Sequence, residues 1–252
     1  MVDVYGLSDV GCVRELNEDS YCIDGFDENE EKGFCIIADG MGGHNAGEVA
    51  SQNAVKFMVE ELKTLFDEEN KELNVPNCLN NAVQRANERV YNMAEENIGH
   101  SGMGTTVVAT VISDETAYLA NVGDSRAYAA RGDEFLQITT DHSVVSEMVM
   151  SGTITKEEAR NHPQKNIITR AVGTDKTVKA DVFEYNYLSG DVMVLCSDGL
   201  STMVDDKEIA EIIQSAETSK ETANRLVETA KQRGGLDNIT VICIRFKQEV
   251  LR

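Results

Sequence analysis

Hydrophobic residues change their spacing along the chain, and the spacing predicts where strands and helices lie. Short apolar runs bounded by Gly, Asn or Asp are typical of strands, and the first of them cover residues 2–7, 19–23 and 33–38. Apolar residues then recur at intervals of about 3.6 positions, the period of a helix. This pattern predicts two long helices, one over residues 47–67 and one over residues 75–98.

From residue 105 onward the spacing returns to that of strands. Four successive strands are predicted, over residues 105–112, 116–122, 125–130 and 134–138. The joints between them carry residue pairs typical of hairpin turns, namely Ser113-Asp114, Gly123-Asp124 and Gly132-Asp133. We therefore expect an antiparallel meander in this part of the chain.

The last hundred residues mix both patterns. Two short helices are predicted over residues 142–152 and 156–161, in a polar stretch typical of a surface insertion. Strands over 180–185, 191–196 and 238–247 surround two helices over 206–215 and 221–233. Helix pairs that interrupt a strand-rich chain predict an α+β layered fold. The chain has 252 residues, and no segment has the composition of a linker, so we expect one domain over residues 1–252.

Composition narrows the classes of function. Hydrophobic residues make up 41% of the chain, which is enough for a sizeable core, and the formal charge is −21. Such a charge repels phosphate backbones and anionic lipid, so we expect no nucleic-acid partner and no membrane surface. No apolar run approaches the ~18 residues of a membrane span, and the N-terminus lacks a basic-then-apolar leader. We therefore expect a cytoplasmic protein.

Six cysteines support the same expectation. They are Cys12, Cys22, Cys35, Cys78, Cys196 and Cys243. They form no Cys-x-x-Cys pair, and most of them lie in apolar runs. We interpret them as small buried side chains in a reducing compartment. A zinc site or a disulfide framework is the alternative.

Carboxylates recur where predicted strands end or begin. Asp39 and Asp198 each follow an apolar strand and precede Gly40 and Gly199. The others are Asp124, Asp237, Glu18 and Asp19. Each alone is typical of a turn, but together they predict strand ends that meet at one rim. Carboxylates repel one another unless cations neutralise them, and oxygen ligands without His or Cys favour Mg²⁺ or Mn²⁺. The two glycines would let the backbone approach the metal.

One cation stands close to these acids in the sequence. Arg14 precedes Asn17-Glu18-Asp19 by a few residues. A guanidinium beside a carboxylate-rich metal site suits bidentate binding of a phosphate group. The alternative is an ordinary surface arginine.

Eight short segments follow one another in an order that resembles a known family. They are Ser8-Asp9-Val10-Gly11 with Arg14 and Asn17-Glu18-Asp19-Ser20; Ala38-Asp39-Gly40-Met41-Gly42-Gly43-His44 with Ala46-Gly47-Glu48; Met103-Gly104-Thr105-Thr106; Asn121-Val122-Gly123-Asp124-Ser125-Arg126; Asp141-His142-Ser143; Thr169-Arg170-Ala171-Val172-Gly173; Ser197-Asp198-Gly199-Leu200; and Asp237-Asn238-Ile239-Thr240. The family is that of the metal-dependent Ser/Thr protein phosphatases of type 2C, in the bacterial form. The resemblance implies a four-layer α-β-β-α sandwich, with two central antiparallel sheets flanked by helix pairs.

The resemblance also implies a role for each matched residue. Asp39 would bridge two Mn²⁺ or Mg²⁺ ions, Gly40 would offer its carbonyl to one of them, and Asp198 and Asp237 would hold the other. Asp124 would hold a third ion together with Asp198. Glu18 and Asp19 would act through metal-bound waters. Arg14 would bind the substrate phosphate, and His44 would be the general acid.

The implied mechanism needs no covalent intermediate. Two metal ions lower the pKa of a water from ~15.7 toward neutrality, and the hydroxide attacks phosphorus in line. No Cys-x₅-Arg signature of a thiol phosphatase occurs. The implied substrates are phosphoserine and phosphothreonine in proteins, among them a Ser/Thr kinase and its targets. A catalytically silent binding protein and a hydrolase of small phosphate esters are the alternatives.

The segment over residues 141–170 resembles the mobile flap of the family. Its matched residues are Gly152, Thr153, Ile154 and His162, and Thr155 with Glu158 predicts a capping box at a helix start. The expected role is selection of protein substrates. A plain surface helix is the alternative. The other histidines, His100 and His142, are expected to be structural or solvent-facing.

Overall fold

Two antiparallel sheets form the centre of the computed structural model, which describes residues 2–26, 32–43, 46–66, 74–113 and 115–247. The strands are β1 (Val2–Asp9), β2 (Asp19–Asp24), β3 (Gly33–Met41), β4 (Gly104–Thr105), β5 (Val107–Ser113), β6 (Thr116–Val122), β7 (Arg126–Arg131), β8 (Glu134–Gln137), β9 (Asp181–Asn186), β10 (Val192–Cys196) and β11 (Ile239–Phe246). One sheet has the order β1-β11-β10-β7-β8, and the other has the order β2-β3-β5-β6-β9, with β4 paired to β3.

The α-helices of the described ranges are α1 (Ala46–Leu62), α2 (Val75–Glu96), α3 (Val144–Met150), α4 (Lys156–Arg160), α5 (Asp198–Ser201), α6 (Asp206–Ser215) and α7 (Ser219–Gln232), with short 3₁₀ turns at Lys63–Phe66 and Ile98–His100. Two pairs of them, α1 with α2 and α6 with α7, lie on the outer faces of the two sheets. Their apolar stripes explain the placement. Met58 of α1 and Val83 of α2 pack with Ile36 of β3, whereas Ile209 of α6 and Leu226 of α7 pack with Val194 of β10.

A third apolar cluster lies between the sheets. It joins Ile37 and Leu119 of one sheet to Leu195 and Ile242 of the other. The layers are therefore helix, sheet, sheet and helix, and the predicted α-β-β-α sandwich is confirmed. No helix within the described ranges is long and apolar enough to cross a membrane.

The predicted meander is wrong at one joint. β5 pairs with β6, and β7 pairs with β8, as expected for hairpins. However, β6 has β5 and β9 as its neighbours, so β7 finds no free edge there and pairs instead in the other sheet. Gly123-Asp124 is therefore the passage between the sheets rather than a hairpin turn. Gly123 has φ +104°, and a Cβ on it would lie 2.6 Å from Cγ2 of Thr106, so the passage requires glycine.

The cysteines are all free thiols. Cys35, Cys196 and Cys243 are buried as expected, Cys22 and Cys78 are only partly buried, and Cys12 is exposed in the loop after β1. Among the described helices, the sequence reading missed α5, a single turn that begins at Asp198.

Candidate metal centre

The register of β2 and β3 places Asp19 directly opposite Asp39. Asp39 lies inside β3, since the strand continues to Met41. Its N–H donates to Oγ1 of Thr106 at 3.1 Å, and its carbonyl accepts from the N–H of Thr106 at 2.9 Å and from Oγ1 of Thr105 at 2.8 Å. The backbone of Asp39 is therefore fixed by the last residue of β4 and by the residue that follows it.

Asp19 joins the two sheets through its side chain. Its Oδ2 accepts from Oγ of Ser197 at 2.8 Å and from Oγ1 of Thr240 at 2.6 Å, and both donors belong to the other sheet's side of the sandwich. Its Oδ1 is buried and has no hydrogen-bond partner among the described residues. A buried carboxylate oxygen without a partner is costly, so it marks a place where a ligand or water is needed.

Glu18, which directly precedes β2, also has a side-chain oxygen without a partner and a backbone held by hydrogen bonds. Its N–H donates to Oδ1 of Asn238 at 2.8 Å, and its carbonyl accepts from the N–H of Gly40 at 3.1 Å and from Oγ of Ser51 at 2.6 Å. Oε1 of Glu18 is also buried without a hydrogen-bond partner in the described part of the chain. Two unsatisfied acidic oxygens thus lie on consecutive residues.

The other sheet contributes Asp198 and Asp237. Asp198 is the first residue of α5, and its carbonyl accepts from the N–H of Thr202 at 2.8 Å. Asp237 directly precedes Asn238, whose N–H donates to Oδ1 of Asp237 at 2.8 Å. Oδ2 of Asp237 accepts from Nη2 of Arg14 at 2.8 Å, and the side chains of this pair are half-exposed.

Asn238 is a structural residue of the site to which the sequence analysis gave no role. Its side chain donates to the carbonyls of Val10 and Leu16, at 3.0 and 2.9 Å, and accepts from the N–H of Glu18. It therefore fastens the loop that carries Arg14 to the start of β11. The signal was its place beside Asp237, but nothing local in the sequence showed which groups it would bind.

Electrostatics group these acids into one cluster. Burial raises the pKa of Asp19 to about 7, that of Asp198 to about 6 and that of Asp124 to about 8, and repulsion from neighbouring aspartates adds to each shift. Burial and the same repulsion raise the pKa of Asp39 well above its usual range. Burial also raises the pKa of Glu18. A neighbouring cation would therefore stabilise the ionised form of each of these acids.

The donor set fits a hard divalent cation. The cluster offers carboxylate oxygens, with two of them unpartnered, and oxygen ligands are those that Mg²⁺ and Mn²⁺ prefer. A Cβ on Gly40 would lie 2.1 Å from the carbonyl oxygen of Gly47, and one on Gly199 would lie 2.0 Å from that of Asn238. Only glycine permits these close approaches. Within the described ranges, no three His, Cys, Asp or Glu side chains are arranged as a metal-binding group, so the fit rests on the type of donor and on the two unpartnered oxygens.

The predicted flap residues have hydrogen bonds of their own around two short helices. His44 lies outside the described residues. Gly152, Thr153 and Ile154 follow α3, where the N–H of Thr153 donates to the carbonyl of Met148 at 2.8 Å. His162 follows α4, and its N–H donates to the carbonyl of Ala159 at 3.2 Å. The capping box of Thr155 and Glu158 at the start of α4 is confirmed.

Known proteins share this fold and chain length. The family profile described as Protein phosphatase 2C matches residues 14–237. The serine/threonine phosphatase stp of Listeria innocua is 39% identical over 240 residues, which cover 94% of this chain and 93% of that protein. The crystal structure of the Mycobacterium tuberculosis serine/threonine phosphatase PstP/Ppp is 37% identical, has a TM-score of 0.86, and covers 98% of this chain and 99% of that one.

A further solved structure bears on the metal. The catalytic domain of the serine/threonine protein phosphatase PstP, in complex with two manganese ions, is 36% identical with a TM-score of 0.84, and covers 98% of this chain and 99% of that one. The present chain belongs to the protein phosphatase 2C family. It is a serine/threonine phosphatase of the 2C type, a hydrolase of the phosphoprotein phosphatase class.

Proposed function

We propose that this phosphatase works with divalent ions, Mn²⁺ or Mg²⁺, bound among the carboxylates that the two sheets bring together. The observation that supports this is the cluster of six acids. Burial and mutual repulsion raise the pKa of Asp39 in this cluster, and Asp237 is half-exposed beside Arg14. Two of the six acids have a buried carboxylate oxygen without a hydrogen-bond partner among the described residues. The family resemblance assigns the same residues. In this proposal Asp39 would hold two ions, with the carbonyl of Gly40 on one and with Asp198 and Asp237 on the other. Asp124 and Asp198 would hold a third.

Divalent ions bound here would supply Lewis acidity, which lowers the pKa of water and neutralises charge on the phosphoryl group. The chain's own residues do the rest. Glu18 and Asp19 would accept hydrogen bonds from waters through their oxygens that have no partner among the described residues. Ser197 and Thr240 hold the Asp19 carboxylate in one orientation, so that its free oxygen has a fixed direction.

Arg14 binds the substrate phosphate in this proposal. Its side chain is 49% exposed, and its hydrogen bond to Asp237 places the guanidinium at the edge of the acid cluster. A planar guanidinium can donate two parallel hydrogen bonds to phosphoryl oxygens and stabilises the charge that develops on them. His44 stays a prediction for the group that protonates the leaving serine or threonine oxygen.

The decisive experiment measures hydrolysis of a phosphothreonine peptide by the purified protein. We expect turnover with Mn²⁺, none with EDTA, and near-abolition in Asp39→Asn. Asp133→Asn is the matched control, since Asp133 is an exposed acid in the β7–β8 hairpin, and it should keep full activity. Undiminished turnover in EDTA would overturn the metal mechanism. Binding of the phosphopeptide without hydrolysis under any condition would instead support the alternative of a catalytically silent binding protein.

We further propose that the whole chain is one phosphatase domain in which residues 141–170 form a flap that selects protein substrates. Two observations support a separate flap. Ser143 and Ile168, near its two ends, form an antiparallel bridge. Arg160 of the flap lies 4.0 Å from the carboxylate of Asp206 in α6. Shortening residues 145–165 should reduce activity on phosphoproteins more than activity on a small aryl phosphate. Equal losses on both substrates would contradict this role.

The proposed substrates are phosphorylated proteins, among them a Ser/Thr kinase and its targets. The alternative, a hydrolase of small phosphate esters, is separated by the same assays. It predicts a kcat/KM for free phosphomonoesters that equals or exceeds the kcat/KM for phosphopeptides.

A further inference from the structure

His142 holds both polar backbone groups of a single glycine. Its Nδ1 accepts from the N–H of Gly123 at 3.1 Å, and its own N–H donates to the carbonyl of Gly123 at 2.9 Å. The imidazole is almost completely buried, with 4% of its surface exposed. Gly123 is the residue at which the chain passes from one sheet to the other, and Asp124 follows it directly. The orientation of Asp124 therefore depends on His142.

These contacts fix the tautomer of the ring. Since Gly123 donates to Nδ1, that nitrogen carries no proton, and Nε2 must carry one. Nε2 donates it to Oδ2 of Asp181 at 3.0 Å. Arg170 lies 3.0 Å from the same nitrogen but donates to Oδ1 of Asp181 at 2.9 Å. The charged groups that face the ring are thus Asp181, Arg170 and, more weakly, Asp141.

His142 also stands at the base of the flap. Its carbonyl accepts from the N–H of Thr169 at 2.8 Å, and the next residue, Ser143, forms the antiparallel bridge to Ile168. The backbone of His142 therefore binds Gly123 on one side and Thr169, near the end of the flap, on the other. Its neutral ring is suited to hold the Gly123 turn against β9, because one nitrogen accepts from Gly123 and the other donates to Asp181.

The Asp124 turn is in turn joined to the centre of the acid cluster. Oγ of Ser125 lies 2.7 Å from Oγ1 of Thr106, which also accepts from the N–H of Asp39 at 3.1 Å. A shift of the backbone at Gly123 would therefore move Asp124 directly. It would reach Asp39 only through two further hydrogen bonds.

We propose that His142 is a positioning residue for the ion held through Asp124, and that it couples this ion to the base of the flap. The inference rests on the proposed function, in which Asp124 is a ligand. It assigns His142 an effect on metal affinity and none on phosphate binding, since its ring contacts Gly123, Asp181 and Arg170 and none of its hydrogen bonds reaches Arg14.

A matched pair of substitutions separates the roles of the two ring nitrogens. The side-chain oxygen of His142→Asn takes the position of Nδ1 and keeps an acceptor for Gly123, but it does not reach Asp181. The amide of His142→Gln takes the position of Nε2 and keeps the contact with Asp181, but it leaves the N–H of Gly123 without a partner. Calorimetric titration of the chelator-treated proteins with Mn²⁺ then measures each binding step, with Asp124→Asn as the reference.

We expect Asp124→Asn to abolish one binding step and His142→Gln to weaken that same step about tenfold, the lower end of what residues that orient metal ligands contribute. His142→Asn should stay within about threefold of wild type. KM for a small aryl phosphate at saturating Mn²⁺ should be unchanged in both His142 variants. Equal weakening in both, or no weakening in His142→Gln, would overturn the proposal. If Asp124→Asn binds Mn²⁺ as wild type does, the proposed ligand role of Asp124 fails instead.

A measurement on the wild-type protein covers the case in which His142→Gln does not fold. In ¹⁵N-labelled protein titrated with diamagnetic Mg²⁺, the signals of the Gly123 amide and of Nδ1 of His142 should shift together with one midpoint, and the ring should be the Nε2–H tautomer throughout. A protonated Nδ1, or a shift of the Gly123 amide without any change at the ring, would refute the coupling.

Discussion

Replacement of Arg14 by methionine should change metal affinity and substrate affinity in opposite directions. In the structure the guanidinium of Arg14 binds Oδ2 of Asp237, the oxygen that a divalent ion would need in the proposed site. Arg14 is therefore an internal competitor for that ligand. Once an ion has bound, the same guanidinium becomes available for the substrate phosphate. Arg14→Met removes the charge and keeps an unbranched side chain.

The magnitudes follow from exposure. The side chains of the pair are 49% and 34% exposed, and exposed ion pairs contribute about 0.2–1 kcal/mol. Its loss should therefore strengthen binding of one Mn²⁺ ion by no more than about fivefold. Hydrogen bonds to charged groups contribute about 1.5–3 kcal/mol, so KM for a phosphothreonine peptide should rise about 10- to 100-fold.

Titration calorimetry with Mn²⁺ and steady-state kinetics with the peptide measure the two effects. Lys63→Met is the matched control, because Lys63 forms a pair of similar exposure with Asp24, at 2.9 Å, at the far end of β2 from Asp19. That variant should change neither quantity. Weaker Mn²⁺ binding in Arg14→Met would refute the reasoning, since it would mean that Arg14 arranges the ligands instead of competing with the ion.

Three further predictions concern stability and the flap. The acids with raised pKa values retain protons that the unfolded chain releases near pH 4, so chelator-treated protein should lose stability as pH rises from about 4 to 8, by about 1.4 kcal/mol per pH unit for each proton retained. Added Mn²⁺ should remove this loss, and chemical denaturation at several pH values with and without Mn²⁺ tests both statements. Gly40→Ala should lower the melting temperature and the Mn²⁺ affinity, because its Cβ would lie 2.1 Å from a carbonyl oxygen, whereas Gly43→Ala, with no atom within 4 Å of its Cβ, should not. Equal melting curves would contradict the close-approach argument. Thr155→Ala removes the capping box of α4 and should destabilise that helix by about 1 kcal/mol, seen as faster amide exchange over residues 156–160 with unchanged exchange in α7.

Local chemistry in the sequence predicted the elements and the acids but not which partners they would find. The 3.6-residue period over α1 and α2 and the apolar runs of β3 and β10 were sufficient to place helices and strands. The joint at Gly123 misled the sequence analysis, because a glycine followed by an aspartate serves a hairpin and a passage between sheets equally well. The passage between sheets is formed here because β5 and β9 pair with the two edges of β6, which leaves no edge for β7.

Long-range pairs explain the rest of what the sequence left open. Arg14 and Asp237 are 223 positions apart, and Asp19 and Thr240 are 221 apart, so no local pattern announces either contact. His142 was expected to be structural or solvent-facing, and it is buried. Its two bonds to Gly123 follow from the sheet passage, which the sequence analysis interpreted as a turn.

The position of β11 between β1 and β10 has a consequence for how the protein is made. On a ribosome, β1 emerges early, yet its partner strand in the sheet is separated from it by more than two hundred residues, which at about 5–20 residues per second means a delay of roughly ten to fifty seconds. During that interval β1 has an open edge, and Asp19 lacks the hydroxyl of Thr240. A nascent chain therefore lacks one of the two hydroxyls that orient the Asp19 carboxylate until β11 is synthesised, and β1 can pair with strands of other chains in the interval.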